Sequence, residues 1–137
     1  MASKTLERLR ALVGTQTPLT WFTVTPEAVA RFAEAVGAPL EWYTEVAPPT
    51  FPITFREGQR PETDGLPEAR RLHASQEFRY NRPIRVGEEI GCSTRVTDAY
   101  QRVGRSGVLT FVVYETTGID RAGEVVFTAT RTRVYRG

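Results

Sequence analysis

Few residues of this chain could do acid-base chemistry. Its 137 residues include one histidine, His73, and one cysteine, Cys92. The stretch GAPLEWYTE adds the phenol of Tyr43 and the carboxylate of Glu45. Because imidazoles and suitably placed phenols or carboxylates can transfer protons, Tyr43 and His73 are the catalytic candidates.

The histidine and the cysteine each have a structural interpretation as well. His73 falls on the polar side of the alternating segment LHASQEFRY, where a solvent-facing or hydrogen-bonded histidine is the commoner case. It has no histidine or cysteine neighbour that could complete a metal site, so we predict no metal and no other cofactor. Cys92 lies in the strand-like EEIGCSTRV, and we interpret it as a small buried apolar residue.

The elements that would position these residues begin with helices. The segment SKTLERLRALVG predicts a short helix over residues 3–13. The clearest helix is TPEAVARFAEAVG, with Thr25 as N-cap, Pro26 in the first position and Gly37 closing it. The prolines of APPTFPITF could open a further helix from about Thr50.

The second half of the chain has the period of strands. In LHASQEFRY, alternation places one set of residues on the apolar face: Leu72, Ala74, Phe78 and Tyr80. Three longer strands follow, EIGCSTRVTDAYQRV, GVLTFVVYETTGI and EVVFTATRTRVYR, joined by turns at GRSG and DRAG. The second of these is apolar on both faces near its middle, which predicts a central place in the sheet. Residues 56–71 are charged and aperiodic, which predicts a mobile surface loop.

The composition limits the class of protein. The length predicts a single domain over residues 1–137, and the order of helices before strands predicts an α+β domain with an antiparallel sheet around a helix. No apolar run is long enough for a membrane span, and we expect a cytoplasmic protein that does not bind membranes. The 18 basic and 16 acidic residues are interspersed, which does not favour a nucleic-acid partner.

Three segments together resemble a known family. They are RFAEAVGAPLEWYTEVAPPTF, HASQEFRYNRPIRVGEEI and VTDAYQRVGRSGVLTFVVYETTGIDRAGEVV. In order and spacing the chain is similar to the MaoC-like dehydratases and (R)-specific enoyl-CoA hydratases, particularly their N-terminal-half branch. The resemblance implies a single hotdog fold, an antiparallel sheet wrapped around a central helix, and a role in the metabolism of acyl thioesters.

The resemblance breaks where the family carries its acid and base. Catalytic members have the pattern Gly-Asp-x-Asn-Pro-x-His-x-Asp after such a helix. Laid on this chain from Gly37, the aspartate falls on Ala38 and the histidine on Tyr43. Ala38 cannot transfer a proton, and a phenol is a poor base at neutral pH. The resemblance therefore implies an accessory half, which supplies part of an acyl tunnel to a partner hotdog chain that carries the catalytic pair.

The substrate implied by the resemblance is an acyl-CoA or an acyl thioester of acyl carrier protein. Trp42, Tyr43 and Phe51 could line its tunnel, or belong to the core or an interface. In such folds backbone amides at a helix start polarise the thioester carbonyl, but Pro48, Pro49 and Pro52 leave few donors. The substrate-binding candidates are then Trp42, Tyr43, Thr50, Phe51 and, for phosphates, Arg82.

Three hypotheses remain from the sequence. The first is the accessory half of a (3R)-hydroxyacyl-CoA or acyl-carrier-protein dehydratase, not competent alone, in a heterodimer with a catalytic hotdog chain or in a homodimer. The second is an active enzyme with displaced residues. It would be a hydratase using His73 with Glu77 or Tyr43, or a thioesterase using a carboxylate such as Glu45. The third is a homodimer that binds an acyl thioester without chemistry.

Overall fold

The computed structural model describes residues 4–55, 71–105 and 107–136. Two α-helices precede most of the strands, α1 at Lys4–Leu12 and α2 at Pro26–Ala35. Short 3-10 turns occupy Leu40–Tyr43 and Phe51–Thr54. The strands are β1 (Thr20–Thr23), β2 (Arg71–Tyr80), β3 (Glu89–Gly104), β4 (Gly107–Ile119) and β5 (Val125–Arg136).

The five strands form one antiparallel sheet in the order β1-β3-β4-β5-β2. The strand β4 lies in the middle, which confirms the prediction from its apolar faces. The turns predicted at GRSG and DRAG join β3 to β4 and β4 to β5, and Gly107 and Gly123 have the positive φ values that these turns require.

Both helices cover the same face of the sheet. Along β3 the side chains of Ile90, Cys92 and Val96 alternate with outward residues and so share one face. Ile90 and Cys92 pack in the cluster that contains Val29 of α2, while Val96 packs in a second cluster with Leu9 of α1. Cys92 is a buried free thiol, as predicted.

The helix α2 has the ends that its sequence predicts. The Thr25 hydroxyl accepts a hydrogen bond from the Ala28 amide at 3.1 Å, and Pro26 opens the helix. Gly37 follows its last turn with φ of 72°, in the left-handed region that a side chain would disfavour. The buried side is formed by Val29 and Ala33, so the other side of α2 is left for solvent or a partner.

Two expectations about local structure need correction. The segment after Thr50 forms only a 3-10 turn, Phe51–Thr54, within the described residues, and the predicted loop over 56–71 lies outside them up to residue 70. Strict alternation along β2 is wrong at its start. The register shifts between His73 and Ser75, so that His73 is opposite Arg133, a residue buried on the helix-covered face. A bulge of this kind cannot be read from alternating polarity.

Candidate functional site

The loop that follows α2 is where the sequence pattern places the acid. Two backbone hydrogen bonds close the helix, from the Gly37 amide to the Glu34 carbonyl and from the Ala38 amide to the Ala33 carbonyl. Ala38 is thus held at the C-terminal end of α2 as part of the helix-ending turn. Its methyl group has no exchangeable proton, so Ala38 cannot act as an acid or a base.

Tyr43 and Trp42 end the next turn and differ in their surroundings. Tyr43 is half-buried and packs against the core cluster under α2. Trp42 is 65% exposed, and its ring centroid lies 6.5 Å from that of Tyr43 in an edge-on arrangement. Tyr43 therefore contributes to packing, whereas Trp42 presents an indole to the surroundings of the chain.

The loop is held in place by the connector between β2 and β3. The Val86 amide donates to the Glu45 carbonyl, and the Ala47 amide donates to the Ile84 carbonyl, each at 2.8 Å. The Glu45 side chain is exposed. A catalytic carboxylate is usually held beside the reacting atoms by neighbouring groups, so an exposed position gives little support to the thioesterase hypothesis.

The amides that could polarise a thioester carbonyl are mostly in use. The Phe51 amide donates to the Pro48 carbonyl and the Ile53 amide donates to the Thr50 carbonyl. The third candidate amide, that of Thr50, has no acceptor within the part of the chain that the structure describes. The Phe51 side chain is 2% exposed and belongs to the core.

The hydroxyl of Tyr80 donates a hydrogen bond to the Pro49 carbonyl and so holds the proline-rich segment against the sheet. Burial raises the pKa of this phenol above its ordinary value. Tyr80 is therefore a neutral donor with a structural task.

An apolar groove of about 320 Å³ lies between α2 and the Phe51–Thr54 turn. Three residues of α2 at helical spacing, Ala28, Phe32 and Ala35, form one wall, and Phe51 and Thr54 belong to the other. The rings of Phe32 and Phe51 meet edge to face, with centroids 5.7 Å apart. The charged residue of the lining is Arg31. Ala28, Phe32 and Ala35 were not predicted as site residues from the sequence, although their spacing of four and three is that of one helix face.

Exposed apolar side chains continue from the groove along the chain. Val36 and Leu40 are both exposed, and Trp42 follows them. Large exposed apolar residues that adjoin one another commonly mark a contact with a ligand or a partner protein. The groove and these residues together form the candidate site.

Arg82 does not present a free charge to this site. Its guanidinium binds both carboxylate oxygens of Glu88, at 2.9 and 2.7 Å, and reaches Asp120 at 3.3 Å. These contacts join the connector before β3 to the turn between β4 and β5. They argue against the predicted contact of Arg82 with substrate phosphates.

The carboxylates of this cluster have lowered pKa values. Burial alone would raise the pKa of Glu88, but hydrogen bonds from the Arg82 guanidinium and the Arg85 amide lower it overall. Hydrogen bonds from the amides of Glu124 and Ala122 and from the Arg82 side chain lower the pKa of Asp120. Both groups are therefore anionic at neutral pH and stabilise the structure.

One catalytic candidate, His73, remains to be placed. The side chain of His73 is outside the described part of the structure, so its catalytic role stays a prediction. Among the described residues there is no group of three or more histidine, cysteine, aspartate or glutamate side chains close enough to hold a metal ion. Across that same part of the chain, neither helix has the length and apolarity that a membrane crossing requires.

Comparison with known proteins places this chain among dehydratase-like proteins. Residues 11–129 match the family model of the FAS1-like dehydratase domain region. A UPF0336 protein of Thermobifida fusca is 29% identical over 133 residues, with 85% of each chain covered. A UPF0336 protein of Clavibacter michiganensis is 33% identical over 134 residues, which cover 85% of this chain and 87% of the relative.

Solved structures share the fold at lower identity. The HadBC (3R-hydroxyacyl-ACP dehydratase) complex of Mycobacterium tuberculosis contains a chain with a TM-score of 0.72 and 22% identity, covering 90% of this chain and 96% of that one. A chain of the ChsH1-ChsH2 complex of the same organism has a TM-score of 0.71 and 17% identity, covering 98% of this chain and 92% of that one. A MaoC-like dehydratase of Rhodospirillum rubrum has a TM-score of 0.60 and 18% identity, covering 90% of this chain and 91% of that one.

Proposed function

This chain is a MaoC-like hotdog protein that belongs to the family of the FAS1-like dehydratase region, and from that membership we propose that it is an accessory dehydratase subunit. It pairs with a second hotdog chain that carries the acid and base. The pair hydrates or dehydrates (3R)-hydroxyacyl thioesters of coenzyme A or acyl carrier protein. The reaction takes place in the cytoplasm and uses no metal or other cofactor.

One observation carries the proposal. The places that the resemblance assigns to the acid and base fall on Ala38 and Tyr43, and both residues have structural tasks in this chain. Ala38 is part of the helix-ending turn, and Tyr43 packs against the core. A hydratase must deliver a proton and activate a water at the reacting carbons, which an alanine cannot do. The site of this chain is therefore suited to shape and binding rather than to proton transfer.

The groove supports a role in binding the acyl chain. A methylene chain is held by apolar contact, and the groove offers Phe32 and Phe51 with alanines beside them. The exposed indole of Trp42 extends this surface towards the partner chain. The groove of this chain then forms one side of an acyl tunnel, and the partner forms the other.

The proposed partner is suggested by the edge of the sheet. The strand β2 lies at one edge, and in the described part of the chain no other strand pairs with its outer side. A ten-residue edge strand can extend the sheet by pairing with the equivalent strand of a second chain. Two of the structural neighbours come from complexes of named pairs, HadBC and ChsH1-ChsH2, which supports a partner of the same fold.

The proposal is tested by hydration of crotonyl-CoA, followed as loss of the absorbance of the conjugated thioester, with longer 2-enoyl-CoAs as further substrates. We expect no turnover by the purified chain alone. Turnover is expected when the chain is mixed with a hotdog chain of the same organism that has Asp and His at the two places. Robust turnover by the chain alone would overturn the proposal, and His73→Ala would then be the first variant to assay.

A matched variant examines the contribution of the groove in the reconstituted pair. Ala35→Phe places a large ring on the groove wall at an exposed position of α2. We expect it to lower kcat/KM for long acyl chains more than for crotonyl-CoA, because only the long chain would need the blocked volume. Equal effects on short and long substrates would show that the groove does not hold the acyl chain.

A second candidate function is binding of an acyl thioester by a homodimer without turnover. The same groove favours it, since an apolar groove can hold an acyl chain whether or not chemistry follows. Ligand that co-purifies with the chain, together with failure of every Asp- and His-bearing hotdog chain to produce turnover, would favour this function over the accessory subunit.

A further inference from the structure

The end of the sheet farthest from the candidate site has a distinct outward surface. The register places Arg102, Leu109 and Arg136 side by side on β3, β4 and β5. Residues that are directly opposite in neighbouring strands share a face. The next outward row along the same strands is Tyr100, Phe111 and Val134. We call these six residues the basic platform.

The aromatic row is well ordered for contact. Tyr100 and Phe111 stack with ring centroids 5.0 Å apart and an angle of 12° between the planes. The guanidinium of Arg102 lies over the Tyr100 ring, 5.4 Å from its centroid. Arg105 lies in the turn beyond β3 and is exposed. Tyrosine, phenylalanine and arginine are the residues that are enriched where proteins contact one another.

The charge of this end is one-sided. Residues 99–114 and 125–136 contain no aspartate or glutamate, and the exposed Asp98 begins the next outward row along β3, beyond Tyr100. Elsewhere in the chain Arg82, Arg95 and Arg121 each pair with a carboxylate. Within the described ranges Arg102, Arg105 and Arg136 have no such ion pair. A negatively charged partner would therefore meet uncompensated positive charge here.

The form of the surface favours a protein over a small phosphate ligand. Three neighbouring strands place Arg102 and Arg136 two strand spacings apart, about 10 Å, on an open sheet face. A nucleotide or free phosphate is usually held in a concave site by converging donors. Separate arginines around a stacked aromatic pair instead suit the acidic surface of a folded partner.

Pairing of this chain with its partner through β2 determines where the basic platform lies relative to the partner. Two equivalent edge strands that meet about a two-fold axis must run antiparallel. In β2, residue 71 is level with the end of β5 that carries Arg136, whereas Tyr80 is level with the end near the groove. Antiparallel pairing thus brings the basic platform, on the outward face, to the end of the joined sheet at which the partner's catalytic loop lies on the helix-covered face.

The distances agree with that arrangement. Within this chain, nine residues of β5 separate Phe127, in the core cluster beneath the groove, from Arg136, a path of roughly 30 Å. Across the pair, β5 of one chain and β5 of the other are three strand spacings apart, about 14 Å. Measured along the sheet, Arg136 on β5 therefore lies nearer to the partner's site than to its own groove.

We propose that the basic platform, with Arg105, is the docking surface for the acidic carrier protein that presents the acyl thioester to the catalytic chain. The inference rests on the proposed function and assigns the substrate to the carrier-protein class. The accessory chain would then both line the acyl tunnel and position the carrier.

The test is direct binding of a purified bacterial holo-acyl carrier protein to the full-length chain, by isothermal titration calorimetry at low and high ionic strength. The variants are Arg102→Glu, Arg105→Glu and the two combined. Arg10→Glu is the matched control, an exposed arginine of α1, which covers the opposite face of the sheet. We expect binding that weakens with salt, a loss of at least about tenfold in the combined variant, and no change in the control.

The outcomes separate this inference from the proposed function. Carrier binding that is equal in the combined variant and the wild type, or no carrier binding at all, overturns the docking surface. Equal weakening by Arg10→Glu also overturns it, because net charge alone would then explain the effect. Binding of free coenzyme A at the platform without binding of the carrier would assign the surface to a small ligand. None of these results depends on whether the chain turns over crotonyl-CoA by itself.

Discussion

The ring of Phe127 occupies the space that a side chain on Gly118 would need. The two residues are opposite each other in β4 and β5, and a Cβ atom on Gly118 would lie 2.2 Å from Cε1 of Phe127. Phe127 is buried at the centre of the cluster under α2, so the ring cannot move aside without displacing its neighbours. Because Gly118 has no side chain, the ring of Phe127 can pack directly against the backbone of β4.

Gly118→Ala is therefore expected to destabilise the protein by more than about 2 kcal/mol. The cause is overpacking against the ring of Phe127. Gly104→Ala is the matched control, since its Cβ would meet Leu109 at an ordinary 3.5 Å. Urea unfolding followed by circular dichroism measures both, and similar midpoints for the two variants would contradict the proposed overpacking.

The adjacent aromatic residues Trp42 and Tyr43 should differ in their effects. Tyr43→Ala removes a ring that packs against the core and is expected to cost about 2 kcal/mol of unfolding free energy. Trp42→Ala removes an exposed ring and should change stability by less than about 0.5 kcal/mol. Thermal unfolding measures this contrast, with Tyr43→Phe as the control that keeps the packed ring.

The Trp42→Ala variant also tests assembly. If Trp42 faces a partner chain, Trp42→Ala should weaken the reconstituted pair in sedimentation or size-exclusion experiments although the chain itself remains stable. An unchanged affinity between the two chains would remove Trp42 from the proposed tunnel surface.

Acid should destabilise the protein through the cluster of Arg82, Glu88 and Asp120. The pKa values of Glu88 and Asp120 are lower in the folded chain than in model peptides. Groups with depressed pKa values stabilise the fold above their unfolded pKa, near pH 4, and lose this contribution as the pH falls through the folded pKa. The free energy of unfolding should therefore decline from about pH 5 downwards.

Glu88→Gln should reduce the steepness of this decline, because the carboxylate that titrates has been removed. Glu115→Gln is the control, since that carboxylate forms an exposed pair with Arg95 whose guanidinium is 3.4 Å away. Unfolding by urea at a series of pH values gives the slopes. If the free energy of unfolding falls with decreasing pH as steeply in Glu88→Gln as in the wild type, protonation of Glu88 is not the cause of the acid destabilisation.

The cap of α2 should contribute measurably to stability. Thr25→Ala removes the hydroxyl that accepts the Ala28 amide and is expected to cost about 1 kcal/mol. Thr25→Ser keeps the acceptor and should recover most of the loss. Equal destabilisation by both variants would show that the methyl group of Thr25, rather than its hydroxyl, is what matters.

Local chemistry determined much of this protein from the sequence alone. The bounds of α2 follow from Thr25, Pro26 and Gly37, because a cap, a fixed φ and a left-handed residue act on their own neighbourhood. The apolar middle of β4 likewise predicts its central place in the sheet, although only one face of this strand is fully buried. From its resemblance to the family, the sequence also predicts that Ala38 and Tyr43 stand where catalytic members carry their acid and base.

Tertiary structure decided what depends on partners distant in sequence. Whether Arg82 is free or paired depends on Glu88 and Asp120, the second of which lies 38 residues away. The bulge that places His73 opposite Arg133 is set by the pairing of β2 with β5. The basic platform brings together Arg102 and Arg136 from separate strands, and no local pattern in the sequence joins them. Sequence patterns report neighbours along the chain, whereas the register of a sheet assembles residues that only folding brings together.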